Sequence, residues 1–245
     1  MNGATMRLIR AELTLMRRDP LVLTFVVAFP IVTMLIIGGA FGTTPDRAFE
    51  FTNPAHWYVA SYLTVVIGAV GLVMLPVHLA SYRERGVLRR FAVAGFPRWS
   101  FAVSSLVVGL TATLVSCALL LIVAAPVYGL PALHSAWRVV LALVIGAVGF
   151  TALGVLLGSL LPSARSAQAV GLLLFFPSFL LGSGGPPPHV MGAAVRTVAG
   201  PLPLTLLTNA VRAPWLGIGM ATGSLFGLVA FTVVVTAIAA RRAVL

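Results

Sequence analysis

The sequence of 245 residues contains no lysine, and all sixteen of its basic residues are arginine. A nucleotide-binding P-loop needs the lysine of G-x-x-x-x-G-K-[ST] to reach the β- and γ-phosphates of the nucleotide. The absence of lysine therefore excludes ATP hydrolysis by this chain through that motif.

Acidic residues are also scarce, with five in the whole chain. None of them falls within the long apolar runs, whereas a proton- or sodium-coupled carrier usually binds its ion at an acidic group inside the membrane. Their positions argue against ion-coupled transport, although a carrier that uses backbone carbonyls at broken helices stays open. No pair of carboxylates, Ser/His/Asp set or H-E-x-x-H motif indicates catalysis. The five acids are Glu12, Asp19, Asp46, Glu50 and Glu84.

Cysteine and histidine give no sign of a metal or redox site. Cys117 is the single cysteine, which excludes an internal disulfide and a C-x-x-C motif. The four histidines lack the short spacings of metal ligands, so the sequence predicts no metal centre. They are His56, His78, His134 and His189.

Apolar residues dominate what is present. Hydrophobic residues make up 60% of the chain and charged residues 9%, with a mean hydropathy of +1.07. Soluble domains carry about 25% charged residues, so this composition predicts an all-α integral membrane protein. A span needs about 20 apolar residues, and six runs are candidates, of which the fifth is short. They cover about 21–42, 57–81, 100–126, 138–161, 167–182 and 215–240.

The arginines predict the orientation. The net charge of +11 would suggest a nucleic-acid partner in a soluble protein, but here the arginines lie mostly between apolar runs, so we expect no nucleic-acid partner. With the N-terminus inside, twelve arginines fall on the inner side and four on the outer side. The excess of inner positive charge predicts that both termini are cytoplasmic. The four outer arginines are Arg47, Arg138, Arg196 and Arg212.

The first twenty residues, 1–20, predict an amphipathic helix in the membrane plane, followed by one six-span domain over 21–245. On a helical wheel the apolar side chains fill one half, and Glu12 is the exception to the pattern. A polar face of arginines attracts anionic lipid headgroups. The alternative is a basic flank that only sets the orientation. The arginines are Arg7, Arg10, Arg17 and Arg18.

Two further segments interrupt the spans. Segment 82–98 joins spans two and three on the inner side and combines basic with apolar residues, which suits either a docking surface for a cytoplasmic protein or a topology signal on headgroups. Segment 183–214 is apolar but rich in glycine and proline, which predicts broken, half-inserted helices at the outer rim. Pro30, Pro76 and Pro177 fall within spans and predict kinks.

Three stretches resemble the membrane subunits of ABC-2 type exporters, in particular the daunorubicin-resistance permease group. They are "RRDPLVLTFVVAFPIVTMLIIGGAFG", "YRERGVLRRFAVAGFPRWSF", and the region from "LLLFFPSFLLGSGGPPP" through "GPLPLTLLTNAVRAPW". The six-span order is also similar, so the resemblance covers essentially the whole chain.

The resemblance implies roles for both interrupting segments. Segment 82–98 would be the coupling segment that a separate ATP-binding subunit receives, and it would include Arg83, Glu84, Arg85, Gly86, Leu88, Arg89, Arg90, Phe91 and Pro97. The N-terminal helix would flank that contact. The outer helices would close the transport path, with Gly184, Gly185, Pro186, Pro187, Pro201 and Pro203 as their turn residues.

The resemblance also implies an assembly of two permeases, identical or related, with two ATPases. ATP and magnesium would bind the partner, and this chain would bind no cofactor. Spans one, two and five would line an outward path for a hydrophobic or amphiphilic cargo in the bacterial inner membrane. The alternatives are a carrier or channel that needs no ATPase, and a membrane scaffold that recruits a cytoplasmic protein.

Overall fold

The computed structural model describes residues 3–87, 98–219 and 221–243. Within these ranges the chain is helical apart from turns, loops and one antiparallel bridge between Asp46 and Thr52. An N-terminal helix, Gly3–Met16, precedes six helices that are long and apolar enough to cross a membrane. The prediction of an all-α polytopic membrane protein is therefore confirmed. Spans 1 to 6 are Val22–Ala40, Pro54–Glu84, Val103–Tyr128, Ala136–Leu160, Ala164–Ser183 and Thr222–Arg242, with the helix of span 3 beginning at Arg98.

Span 6 begins later than the sequence predicted. Trp215 belongs to the preceding helix, and Gly217 and Gly219 then adopt left-handed backbone angles, with φ of +73° and +76°. Two such residues end one helix and prevent the apolar pattern from continuing as a single rod. The predicted start near residue 215 was wrong because hydropathy does not register this turn.

Span 2 is the central helix of the bundle. In its most apolar stretch 89% of the residues are buried, against 17% to 50% in the other five spans. Glycine permits the close contacts around it: a Cβ at Gly71 would collide with the backbone of Phe150 in span 4, and a Cβ at Gly171 in span 5 would collide with the carbonyl of Leu72. Small residues at these positions allow membrane helices to approach backbone to backbone.

Spans 1, 2 and 5 each contain a π-helical segment next to a proline. Val22–Ala28 precedes Pro30, Val70–Met74 precedes Pro76, and Phe179–Ser183 follows Pro177. Proline lacks an N–H and its ring presses on the carbonyl four residues earlier, so a wider turn in front of it relieves the clash. The wide turn relieves this clash at Pro30 and Pro76, whereas in span 5 the wide turn follows Pro177.

Two connecting helices follow span 5. A 3₁₀ turn, Pro188–Val190, leads to the first connecting helix, Ala193–Ala199, and Pro203 begins the second, Pro203–Leu216. The broken helices that glycine and proline predicted are therefore present. The second connecting helix packs against spans 2, 4 and 6, and most of its residues are buried. Its apolar composition reflects this packing among helices.

Candidate functional site

The predicted coupling segment begins at the end of span 2. Arg83 and Glu84 form the last turn of the span, and Arg85 and Gly86 then make a turn in which Gly86 has a φ of +66°. The helix of span 2 therefore ends in a turn within the predicted coupling segment. The remaining predicted contact residues lie outside the described residues, namely Leu88, Arg89, Arg90, Phe91 and Pro97.

Arg83 caps the end of span 4. Its Nη1 donates to the carbonyl oxygens of Gly158 at 3.4 Å and Leu161 at 3.3 Å, and also to that of Ser159. The last carbonyls of a helix have no partner within the helix and carry the negative end of its dipole. The guanidinium of Arg83 donates hydrogen bonds to these carbonyls and places a positive charge at the negative end of the dipole. Arg83 therefore fixes span 2 to span 4.

Glu84 binds the beginning of span 5. Its Oε2 accepts a hydrogen bond of 3.1 Å from the backbone N–H of Ala164, beside a capping box that Ser163 and Ser166 form. A carboxylate at a helix N-terminus is stabilised by unpaired N–H groups and by the helix dipole. Two adjacent residues of span 2 therefore hold the two sides of the loop between spans 4 and 5, and we call this arrangement the Arg83–Glu84 clamp.

The N-terminal helix packs on span 3 with its arginines outward. Arg7, Arg10, Arg17 and Arg18 are all exposed, and Ile9 is buried. This arrangement gives the helix an arginine face and a face against the bundle.

Glu12 is the buried charge that sequence reasoning noticed but did not explain. Its side chain is 2% exposed, its Oε2 accepts a hydrogen bond of 2.7 Å from Ser104, and its Oε1 has no hydrogen-bond partner among the described residues. Burial raises the pKa of Glu12 to about 7, against the opposing effect of the Ser104 hydrogen bond. The signal in the sequence was its position among the apolar side chains of the wheel.

The predicted gate glycines form a tight turn at the end of span 5. A Cβ at Gly184 would collide with the Phe179 ring, and one at Gly185 with the carbonyl of Leu180. The hydroxyl of Tyr58 in span 2 donates to the Gly185 carbonyl at 3.3 Å. Pro186 is exposed and Pro187 buried, while Pro201 is exposed and Pro203 starts the second connecting helix.

A second contact joins the loops on the same side of the bundle. His189 lies 2.9 Å from the carboxylate of Glu50 in the loop between spans 1 and 2. This pair and the Tyr58 hydrogen bond attach the turn after span 5 to neighbouring elements at two points.

Arg212 is a buried cation that forms no salt bridge with an acid among the described residues. It is 5% exposed, and no carboxylate of the described residues lies within 4 Å of it. Its guanidinium lies 3.7 Å from the centroid of the Trp57 ring and donates to Asn209 at 2.8 Å and to Ser61 at 3.4 Å. Sequence reasoning counted Arg212 as an outer loop charge. The available signal was a single charge in a long apolar stretch.

Three buried hydroxyl groups form a second polar cluster in the core. Thr64, Ser183 and Thr208 form a triangle of hydrogen bonds with distances of 2.6 to 3.2 Å. They come from span 2, the π-helical end of span 5 and the second connecting helix, so hydrogen bonds hold these three elements together where the surroundings are apolar.

Phenylalanines cover the contact between spans 1 and 5. Phe25 and Phe29 stack at 5.2 Å, and Phe175 and Phe179 stack at 5.9 Å. Phe176 joins both groups edge to face and remains partly exposed. Such pairs are favourable beyond the area that they bury, and this cluster leaves an aromatic surface on the outside of the chain.

Among the described residues, no group of three or more His, Cys, Asp or Glu side chains could hold a metal ion. The contacts instead link helix ends to one another on both sides of the bundle.

Comparison with known proteins places these features in a family. A family model described as ABC-2 type transporter matches residues 4–216, which include the N-terminal helix, spans 1 to 5 and both connecting helices. A search of curated proteins finds no match.

Proposed function

Since the chain belongs to the ABC-2 type transporter family and is an ABC transporter permease subunit, we propose that it exports its cargo with energy from a separate ATP-binding subunit. The proposal includes the inner membrane as its location and cytoplasmic termini, in accord with the twelve inner arginines. The observation that carries it is the Arg83–Glu84 clamp beside the segment where the partner would dock.

The clamp supplies a mechanical route for coupling. A partner that pushes on segment 82–98 would move the end of span 2, and Arg83 and Glu84 would pass that motion to spans 4 and 5 through three carbonyls and one amide. Span 5 ends in the glycine turn that Tyr58 contacts. A displacement at the cytoplasmic end of span 5 would therefore reach the glycine turn at the other end of the same span.

The phenylalanine cluster supports a path along spans 1 and 5. The partly exposed ring of Phe176 and the neighbouring Phe25 and Phe29 offer an apolar, polarisable surface to a hydrophobic or amphiphilic cargo. A second permease copy, or a related permease, would face this surface and complete the path.

The decisive experiment measures coupling in the assembled transporter. The chain is co-expressed with a candidate ABC-type ATP-binding subunit, and ATPase activity and dye export are compared for wild type, Arg83→Ala, Glu84→Ala and Glu84→Gln. We expect both alanine variants to assemble but to lose most coupled export, while Glu84→Gln keeps an acceptor for Ala164 and loses less. Arg165→Ala is the matched control, because Arg165 is exposed near the same loop.

Three outcomes would contradict the proposal. Unchanged coupled export in every clamp variant would remove the coupling role. Export that follows an ion gradient without ATP would favour a carrier. Among the described residues Glu12 is the buried acid, and it lies on the N-terminal helix, outside the spans. Recruitment of the partner without any transport would indicate a scaffold.

A further inference from the structure

A cavity of about 220 Å³ opens between span 4, the second connecting helix and span 6, on the side of the bundle where spans 4 and 6 begin. It is separate from the clamp and from the phenylalanine cluster. Its walls are mostly apolar. Its lining residues include Trp137, Arg138, Leu141, Pro214, Thr222 and Leu225.

Arg138 gives this cavity a positive charge. Of the residues that line it, Arg138 is the charged one, and no carboxylate of the described chain lies within 4 Å of its guanidinium. Its Cζ lies 5.2 Å from the ring centroid of Trp137, which is a contact with an aromatic face and leaves the guanidinium donors available. Thr222 begins span 6, so N–H groups without helical partners lie at the same wall.

The surroundings of the cavity are suited to lipid chains. Trp137 is 65% exposed, and Phe226 in the first turns of span 6 is 71% exposed. Exposed Val140 and Val144 on span 4 and Val229 and Val233 on span 6 extend this apolar surface along both helices. Tryptophan beside arginine at the end of a span is the pattern of a membrane–water interface.

The size of the cavity favours a headgroup over a whole small molecule. Sites that enclose a drug-sized ligand measure about 300 to 1,000 Å³, and this one is smaller, with its opening beside the exposed faces of two spans. A molecule with an anionic end and long apolar chains would place the anionic end at Arg138 and the chains against the exposed apolar faces of spans 4 and 6.

We propose that this cavity binds an anionic phospholipid, with its phosphate at Arg138 and the start of span 6 and its acyl chains along spans 4 and 6. The lipid is a bound component of the membrane and not the cargo. The site therefore does not depend on the proposed export function.

Tryptophan quenching by brominated lipids tests the site. The purified chain is reconstituted in vesicles of equal parts phosphatidylcholine and phosphatidylglycerol, with bromine on the chains of one lipid or the other. Subtraction of the Trp137→Phe signal isolates Trp137 from the other tryptophans. We expect brominated phosphatidylglycerol to quench Trp137 more strongly, with an enrichment of about fivefold, because one interfacial arginine favours anionic lipid to about that extent.

Two arginine variants test whether the preference for phosphatidylglycerol arises from binding at this cavity. Arg138→Gln should abolish it, and Arg196→Gln should keep it, because Arg196 lies on the first connecting helix and does not line the cavity. Equal quenching by both lipids in the wild type, or a preference that survives Arg138→Gln, overturns the proposal. Absence of quenching by either lipid also overturns it, since something other than lipid then covers the cavity. The tryptophan emission maximum of each variant checks that it has folded.

Discussion

The guanidinium of Arg212 lies over the face of Trp57, with 3.7 Å between its Cζ and the ring centroid. The pair joins the second connecting helix to the first turns of span 2. A buried cation is costly unless its surroundings compensate for lost hydration, and here an aromatic face, an amide and a hydroxyl contact the guanidinium, while the Glu50 carboxylate stabilises it at longer range. The contact fixes the connecting helix against the most buried span.

Removing the aromatic face should cost more than removing the charge. Trp57→Leu leaves a buried cation without its aromatic contact, whereas Arg212→Met replaces that cation with a shorter, unbranched apolar side chain. We expect the pair to show a coupling free energy of about 1 to 2 kcal/mol in a double-mutant cycle. Unfolding titrations in sodium dodecyl sulfate measure it, and strictly additive losses would show that the stacking contributes nothing.

Glu12 should make the docking of the N-terminal helix depend on pH. An acid whose pKa rises on folding keeps its proton more readily in the folded state, so its contribution is present below the unfolded pKa and is lost as pH rises toward the folded value. For Glu12 that window runs from 4.5 to about 7, a shift that corresponds to about 3 kcal/mol. We expect the helix to detach more often at pH 8 than at pH 5.

Hydrogen exchange in the N-terminal helix measures this change. After correction for the intrinsic dependence of exchange on pH, Glu12→Gln should show the same protection at both values, because glutamine keeps a hydrogen-bonding group for Ser104 and does not titrate. Wild-type protection that does not change between pH 5 and pH 8 would contradict the prediction.

Glu84 should protect the first turn of span 5 even in the isolated chain. Glu84→Ala removes the acceptor of the Ala164 N–H, so exchange at that turn should accelerate. Glu50→Ala is the matched control, since it removes an exposed carboxylate that contacts His189 and is not part of the clamp. Similar acceleration in the control, or none in Glu84→Ala, would remove the capping contact as its cause.

Gly171 should tolerate no side chain. A Cβ there meets the carbonyl of Leu72 in span 2, and overpacking of this kind costs about 1 to 3 kcal/mol, so Gly171→Ala should lower stability. Gly223→Ala provides the comparison, because its added carbon would meet open space beyond its own helix and alanine favours helix by about 0.5 to 1 kcal/mol. Thermal unfolding in detergent should rank Gly223→Ala at or above wild type and Gly171→Ala below it.

Hydropathy was enough to find the six spans, because each must carry an uninterrupted apolar stretch of fixed length. It misplaced the start of span 6, where Gly217 and Gly219 reverse the chain within an apolar sequence. The broken helices after span 5 were predictable from glycine and proline, but the burial of the second connecting helix was not, since it depends on which helices surround it.

The contacts of single charges could not be predicted in the same way. Glu84 meets Ala164, eighty residues away, and Arg212 meets Trp57 across a stretch nearly twice as long. Nothing local distinguishes such side chains from charges that face water. The burial of Glu12 was partly predictable, because its position on the helical wheel places it among apolar side chains. Its hydrogen-bond partner Ser104 was not predictable from the sequence.

The wide turns in spans 1, 2 and 5 also determine how each span would respond to the deletion of one residue. A π-turn holds one residue more than an α-turn, so a single-residue deletion there can restore regular winding without turning the rest of the span to a new face. In spans 1 and 2 the deletion would press the ring of Pro30 or Pro76 onto a carbonyl, whereas Pro177 precedes its wide turn. Span 5 is therefore the place where related chains can differ in length by one residue at the least cost.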